Sequence, residues 1–205
     1  MTVVDVHTPH GPAKVQMHRV DGPTAALVLG HGAAGGVASK DLVAAADVAR
    51  AQGISVALVE QPYRVEGRRT PAPAGQLDTA WTAVVEHLRA GDLADLPLIA
   101  GGRSLGARVA CRTAEATGAL AVLCLAFPVH APGQHDPAKS RLPELDAVKV
   151  PTLVVQGESD PFGMPPPGPR REVVPVPGDH GLKKDVEAVS AALREWLPRV
   201  VPQAA

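Results

Sequence analysis

Hydrophobic and polar residues follow two rhythms along this chain. Thr2 to His7 and Ala13 to Val20 alternate apolar with polar positions on either side of a Pro-His-Gly-Pro turn, the period-two pattern of strands that bury one face. An antiparallel hairpin at a sheet edge is predicted there. Further on the alternation gives way to short, mainly apolar runs: Ala25 to Leu29, Ile54 to Val59, Pro97 to Ala100, Ala121 to Leu125 and Thr152 to Val155. Strands covered on both faces have this composition, and such strands are central and parallel. Glu172 to Val176 is a further strand-like stretch.

Longer stretches with helical spacing separate these runs: Lys40 to Gln52, with Ser39 as N-cap and Gly53 as its stop, then Leu77 to Ala90, Leu105 to Thr117 and Lys183 to Leu197. Strands alternating with helices require right-handed crossovers. The expected fold is therefore α/β, a doubly wound, mostly parallel sheet of about eight strands with an antiparallel N-terminal hairpin. Ligands of such sheets bind beyond the carboxyl ends of the strands. The proline-rich stretches Pro128 to Pro143 and Pro161 to Pro169 read as ordered loops over that edge. At 205 residues, 1–205 is expected to be a single domain.

Composition narrows the function by exclusion. A formal charge of -1 with acids and bases interspersed gives no electrostatic basis for binding nucleic acid or an anionic membrane surface. Cys111 and Cys124 lie in apolar segments without CxxC or CxxH spacing, so they read as buried free thiols. No basic region followed by an apolar stretch opens the chain, and no segment reaches the length of a membrane span. The expectation is a cytoplasmic protein.

The candidate chemistry centres on Gly102-Arg103-Ser104-Leu105-Gly106, a GxSxG pentapeptide between a predicted strand and a predicted helix. Its glycines permit the abrupt, strained turn that pushes a serine hydroxyl outward as a nucleophile. In a chain with 20 glycines the pentapeptide alone is a weak signal, so its companions must carry the inference. A serine needs a base, and His180 lies in a glycine-bounded loop, Pro177 to Gly181, before the last helix. The base needs a carboxylate on its other nitrogen. Asp160, after the Thr152 strand, meets that need, with Asp136 as the alternative position and Glu158 and Asp179 nearby. Oxyanion donors are expected from the Leu105 N–H and, in His31 to Gly36, from Ala33, with Ala34 as the alternative.

Around this set, Arg103 and Arg64 are candidates to receive a substrate carboxylate or phosphate, against a structural pairing with Glu60, Glu66 or Glu158. Tyr63 and Phe127 are candidate pocket walls or loop anchors. His31 reads as a loop-ordering residue. His130, His135 and Asp136 share a loop without a third ligand at metal spacing, so no metal site is expected.

HGAAGG, GGRSLG, QGESDPFG and GDHG occur in the order found in α/β-hydrolases, and the chain resembles that superfamily over nearly its whole length. It is similar in particular to small lidless proteins of the dienelactone-hydrolase-like group. Glu60-Gln61-Pro62-Tyr63-Arg64 and Phe127-Pro128-Val129-His130 are shared with a subgroup of predicted hydrolases. The resemblance implies an α/β-hydrolase fold without a cap domain and the roles nucleophile, acid and base for Ser104, Asp160 and His180. A dienelactone hydrolase itself usually carries cysteine at the position of Ser104. The implied activity is a serine hydrolase cleaving small-molecule carboxylic esters or thioesters through an acyl-enzyme, without a cofactor. A binding or scaffold protein on the same fold, or an acyltransferase, is the alternative. Oligomeric state is not indicated.

Overall fold

The computed structural model describes residues 1–134 and 136–202. Its centre is one eight-stranded sheet in the order β1-β2-β4-β3-β5-β6-β7-β8. The strands are β1 Thr2–Thr8, β2 Gly11–His18, β3 Ala25–Gly30, β4 Ile54–Glu60, β5 Leu98–Arg103, β6 Ala121–Leu125, β7 Thr152–Gly157 and β8 Arg171–Val176. β2 runs antiparallel to both β1 and β4, and all remaining pairs are parallel. The chain leaves β3 for β4 on one side and returns to β5 on the other, so the direction of winding reverses between β3 and β5. A crevice opens beyond the carboxyl ends of two strands at such a reversal.

The mainly apolar strand runs are explained by two cores. Ala26 and Val28 of β3, Ala57 and Val59 of β4, Ala100 of β5, Val122 of β6 and Val154 of β7 face one layer of helices. Leu27, Leu29, Val56, Leu58, Ile99, Leu123, Leu153 and Val155 alternate with them and face the other. The first layer holds α3 (Ala74–Arg89), α4 (Leu105–Thr113) and the short α5 (Leu142–Asp146), with Trp81, Val85, Val109 and Leu145 buried. The second is formed by α1 (Lys40–Ala51) and α6 (Val186–Val200), through Leu42, Ala45, Leu193 and Trp196. Full burial of a Val, Leu or Ile side chain contributes roughly 1.5–3 kcal/mol, so both faces of the sheet are fixed by many modest terms.

Several helix boundaries differ from the sequence expectation for local reasons. α3 begins at Ala74, three residues before the predicted Leu77, because its first turn is exposed and carries no apolar periodicity. The predicted helix to Thr117 ends at Thr113 as α4 and continues as turns to Gly118, whose φ of +64° reverses the chain. α6 starts at Val186 because Asp185 caps it by accepting the Ala188 N–H at 2.9 Å. Ser39 occupies the N-cap position of α1 without making a side-chain cap bond. Pro198 sits inside the last turns of α6. The Arg194 carbonyl that its missing N–H would have satisfied accepts the Gln52 side-chain amide at 3.0 Å. Among the described residues no helix is long and apolar enough to cross a membrane.

Candidate active site

The turn from β5 into α4 is built by three glycines that touch. A Cβ on Gly102 would lie 2.5 Å from the Gly30 carbonyl oxygen, and one on Gly106 would also strike the Gly30 backbone. Only backbone without side chains lets α4 descend this closely onto β3 and β5. Ser104, at the corner, is held at φ 52° and ψ −106°, a conformation that costs a non-glycine residue about 1–3 kcal/mol. Its N–H donates to the Leu125 carbonyl at 2.9 Å, which anchors the corner to β6.

The strain puts the Ser104 hydroxyl within reach of the loop between β8 and α6. Ser104 Oγ lies 2.9 Å from His180 Nε2, and His180 Nδ1 lies 2.8 Å from Asp160 Oδ2. With the carboxylate accepting from Nδ1–H, Nε2 is the lone-pair nitrogen that accepts the serine hydroxyl. The Asp160 side chain is 1% exposed, and both of its oxygens are held: Oδ1 accepts the Phe162 N–H at 2.9 Å, and Oδ2 also accepts from the Gln156 amide at 2.9 Å. Gln156, fully buried at the end of β7, shares its two amide protons among Asp160 and the Phe127 and Gly163 carbonyls. The Phe162 ring packs on His180 with centroids 4.2 Å apart. Gly157 completes the approach, since a Cβ there would collide with the Gly178–Asp179 backbone of the histidine loop.

The loop after β3 supplies the facing wall. Leu105 opens α4, so its N–H has no partner within the helix, and Ala33 lines the same cavity as Ser104 and Leu105. His31 orders this loop: its buried ring accepts the Gln61 N–H at Nε2 (3.1 Å), which leaves Nδ1–H to donate to the Gly32 carbonyl at 2.7 Å. Gly32 C=O and Ala33 N–H belong to one trans peptide and point oppositely. Fixing the carbonyl therefore fixes the donor. Burial, foremost, lowers the His31 pKa below the ordinary imidazole value, in keeping with a neutral ring.

The four residues expected at the substrate are placed elsewhere. Arg103 is committed to the protein: its Nε pairs with the buried Asp41 of α1 at 2.9 Å, and Nη2 donates to the His180 carbonyl at 2.8 Å. Its partner is thus none of the three glutamates considered from sequence. Tyr63 is buried on α2 (Pro62–Val65) and donates its hydroxyl to the Ala33 carbonyl at 3.2 Å, which makes it a loop anchor. Phe127 is wholly buried in the core, and Arg64 stands on α2 outside the cavity wall. Asp136 caps a short turn on an exposed loop by accepting the Ala138 N–H, away from the imidazole. His135 lies outside the described residues. Among those described, no group of three metal-ligating side chains converges, and Cys111 and Cys124 are buried free thiols with sulfurs 3.5 Å apart.

What does line the cavity, about 380 Å³ in volume, is a set that the sequence did not single out: Pro71, Ala72, Leu77 and Phe162 on its apolar part, Arg108, Arg112 and Arg141 on its polar part. A larger open groove of about 650 Å³ lies by Thr152, Arg171 and Trp196, at the starts of β7 and β8. It is at the wrong end of a parallel sheet for a ligand site.

Comparison with known proteins agrees with this architecture. Residues 23–167 match a family model described as an alpha/beta hydrolase domain. No curated protein matches the chain. Among solved structures, a serine hydrolase without a lid from Xanthomonas campestris is 20% identical, with all of this chain and 96% of that one aligned at a TM-score of 0.79. Est1E from Butyrivibrio proteoclasticus, solved with ferulic acid, is 16% identical over 98% of this chain and 100% of that one, at 0.80. A dienelactone hydrolase from Anabaena variabilis is 17% identical over 98% of each chain, at 0.75. At these identities the likeness is one of fold: a sheet of α/β-hydrolase type without a lid.

Proposed function

Because the chain belongs to the α/β-hydrolase domain family, we propose that it is a serine hydrolase cleaving small carboxylic esters or thioesters through an acyl-enzyme on Ser104. The observation that carries this reading is the unbroken hydrogen-bonded line Ser104–His180–Asp160, with links of 2.9 and 2.8 Å. His180 Nε2 takes the hydroxyl proton as Ser104 Oγ bonds to the substrate carbonyl carbon. The carbonyl oxygen gains a full charge, which the Leu105 and Ala33 N–H groups receive; one such donor is worth roughly 10²–10³ in turnover. The imidazolium then returns its proton to the departing alkoxide or thiolate, and a water activated by the same nitrogen releases the acid. Asp160 holds the ring in the required tautomer and offsets the imidazolium charge, and its dense hydrogen bonding keeps it from rotating away.

A fluorophosphonate probe tests the proposal directly. The folded protein is expected to be labelled at Ser104 near neutral pH and the Ser104→Ala variant to stay unlabelled. A folded wild type that resists the probe would sink the hydrolase reading.

A further inference from the structure

Three arginines line the cavity that holds Ser104, and two of them are already neutralised. Arg108 and Arg112 stand one turn apart on α4 and so share a face. Both oxygens of Glu144 accept from Arg108, and Arg112 adds a contact of 3.2 Å. Both oxygens of Asp78 accept from Arg112, at 2.6 and 2.8 Å. Two carboxylates thus offset two guanidiniums. Arg141, just ahead of α5, has among the described residues only the neutral His130 carbonyl, at 3.2 Å. Glu144 is the nearest acid in sequence, but its oxygens are taken. Burial, then the charge of Arg108, lower the Arg141 pKa against an opposing pull from Glu144, so its surroundings leave the cation undercompensated.

We propose that Arg141 is an anion subsite for the hydrolase reaction, receiving a carboxylate carried by the ester while the carbonyl sits at Ser104. The inference rests on the reading of Ser104 as nucleophile. Three cations against two carboxylates leave one positive charge, which a single carboxylate cancels and a doubly ionised phosphate exceeds. A guanidinium offers a planar pair of N–H groups suited to a carboxylate. The apolar wall of Pro71, Ala72, Leu77 and Phe162 accommodates the short methylene spacer of a half-ester.

The carboxylate can belong to the acyl part or to the leaving group, and paired substrates separate the two. One pair is 4-nitrophenyl hemiglutarate against 4-nitrophenyl valerate; the other is 4-carboxyphenyl acetate against 4-carbamoylphenyl acetate. The wild type is expected to favour the charged member of one pair by about tenfold or more in kcat/KM. In Arg141→Gln that preference should fall by a similar factor, with Arg141→Lys intermediate and a variant of the exposed Arg50 unchanged. Equal treatment of charged and neutral esters, or an equal loss on both in Arg141→Gln, overturns the subsite. Calorimetry with glutarate on Ser104→Ala, with and without Arg141→Gln, needs no turnover. Glutarate binding that depends on Arg141 without any ester hydrolysis would keep the subsite and sink the hydrolase reading. Ester turnover with neither preference nor glutarate binding would do the reverse.

Discussion

Arg103 and Arg141 flank the same serine and are used in opposite ways. Arg103, next to Ser104 in sequence, is spent on the scaffold: its guanidinium reaches Asp41 on α1 and the carbonyl of His180, and its Nη1 would lie 2.8 Å from a Cβ on Gly32. It ties the turn after β5 to α1 and to the loop that carries His180. Arg141, distant in sequence, carries a charge that no acid among the described residues takes up. Position in a motif therefore says little about which cation is left without an acid; the balance of counterions around each guanidinium says much more. On one side of Ser104 the Arg103 guanidinium has an acid and a carbonyl, and on the other the Arg141 guanidinium has a carbonyl alone among the described residues.

The largest effect should come from breaking the closed side. The Asp41 side chain is 1% exposed, so removing its cation strands a buried carboxylate at a cost of about 3–5 kcal/mol. The Arg103 side chain, 17% exposed and still donating to the His180 carbonyl, loses less when Asp41 is removed. Arg103→Met should lose stability on that scale in denaturant titrations, and Asp41→Leu less. The double variant should regain much of it, since an apolar pair replaces a buried ion pair with little penalty. Its kcat should nonetheless stay low, because the His180 carbonyl has lost its tether. If stability and kcat return together, Arg103 has no positioning role.

Much of the fold was legible in sequence because strand periodicity is local and both faces of the central strands are apolar. The helices α2 and α5 were not, since four and five residues are too few for a period to show. The line of Ser104, Asp160 and His180 could be read because each stands in a short loop bounded by glycine or proline after a strand. Asp41 could not: on α1 it looks like any first-turn acid, and its partner is fixed only when α1 packs over the turn after β5. Phe162 and Arg141 reach the site from proline-rich loops, where no period places a side chain. Gln156 does carry a signal in the sequence: an amide closing an apolar strand must find partners once buried, and it holds Asp160.

A smaller effect should come from opening the neutralised half of the pocket. Arg108 and Arg112 side chains are 18–19% exposed, so truncating either to Met is expected to cost about 1–2 kcal/mol, with Arg112 the costlier because Asp78 is left without its cation. The informative variant is Arg108→Met. It leaves Glu144 only the Arg112 contact of 3.2 Å, so Glu144 can turn toward Arg141 and selectivity for carboxylate-bearing esters should drop although Arg141 is intact. An unchanged selectivity would mean that counterion balance does not set the difference between the two sides.

The smallest effect, about 1 kcal/mol or less, belongs to His31 on the closed side and is read through pH. Protonation would put a proton on Nε2, which accepts the Gln61 N–H, and two donors would then face each other. The folded-state pKa is lowered, chiefly by burial, so between that value and the ordinary value of about 6.5 the unfolded chain binds more protons than the folded one. Stability is then full above about pH 6.5 and is lost as pH falls toward the folded-state pKa. His18, also lowered mainly by burial, adds a slope of the same sign. Thermal melts from about pH 7.5 down to about pH 5 should show His31→Gln melting lower than wild type at the upper end, yet losing less on acidification, with the His18 slope remaining. Parallel pH profiles would show that the His31 ring does not resist protonation. The loop after β3 would then rest on the Tyr63 hydroxyl at the Ala33 carbonyl.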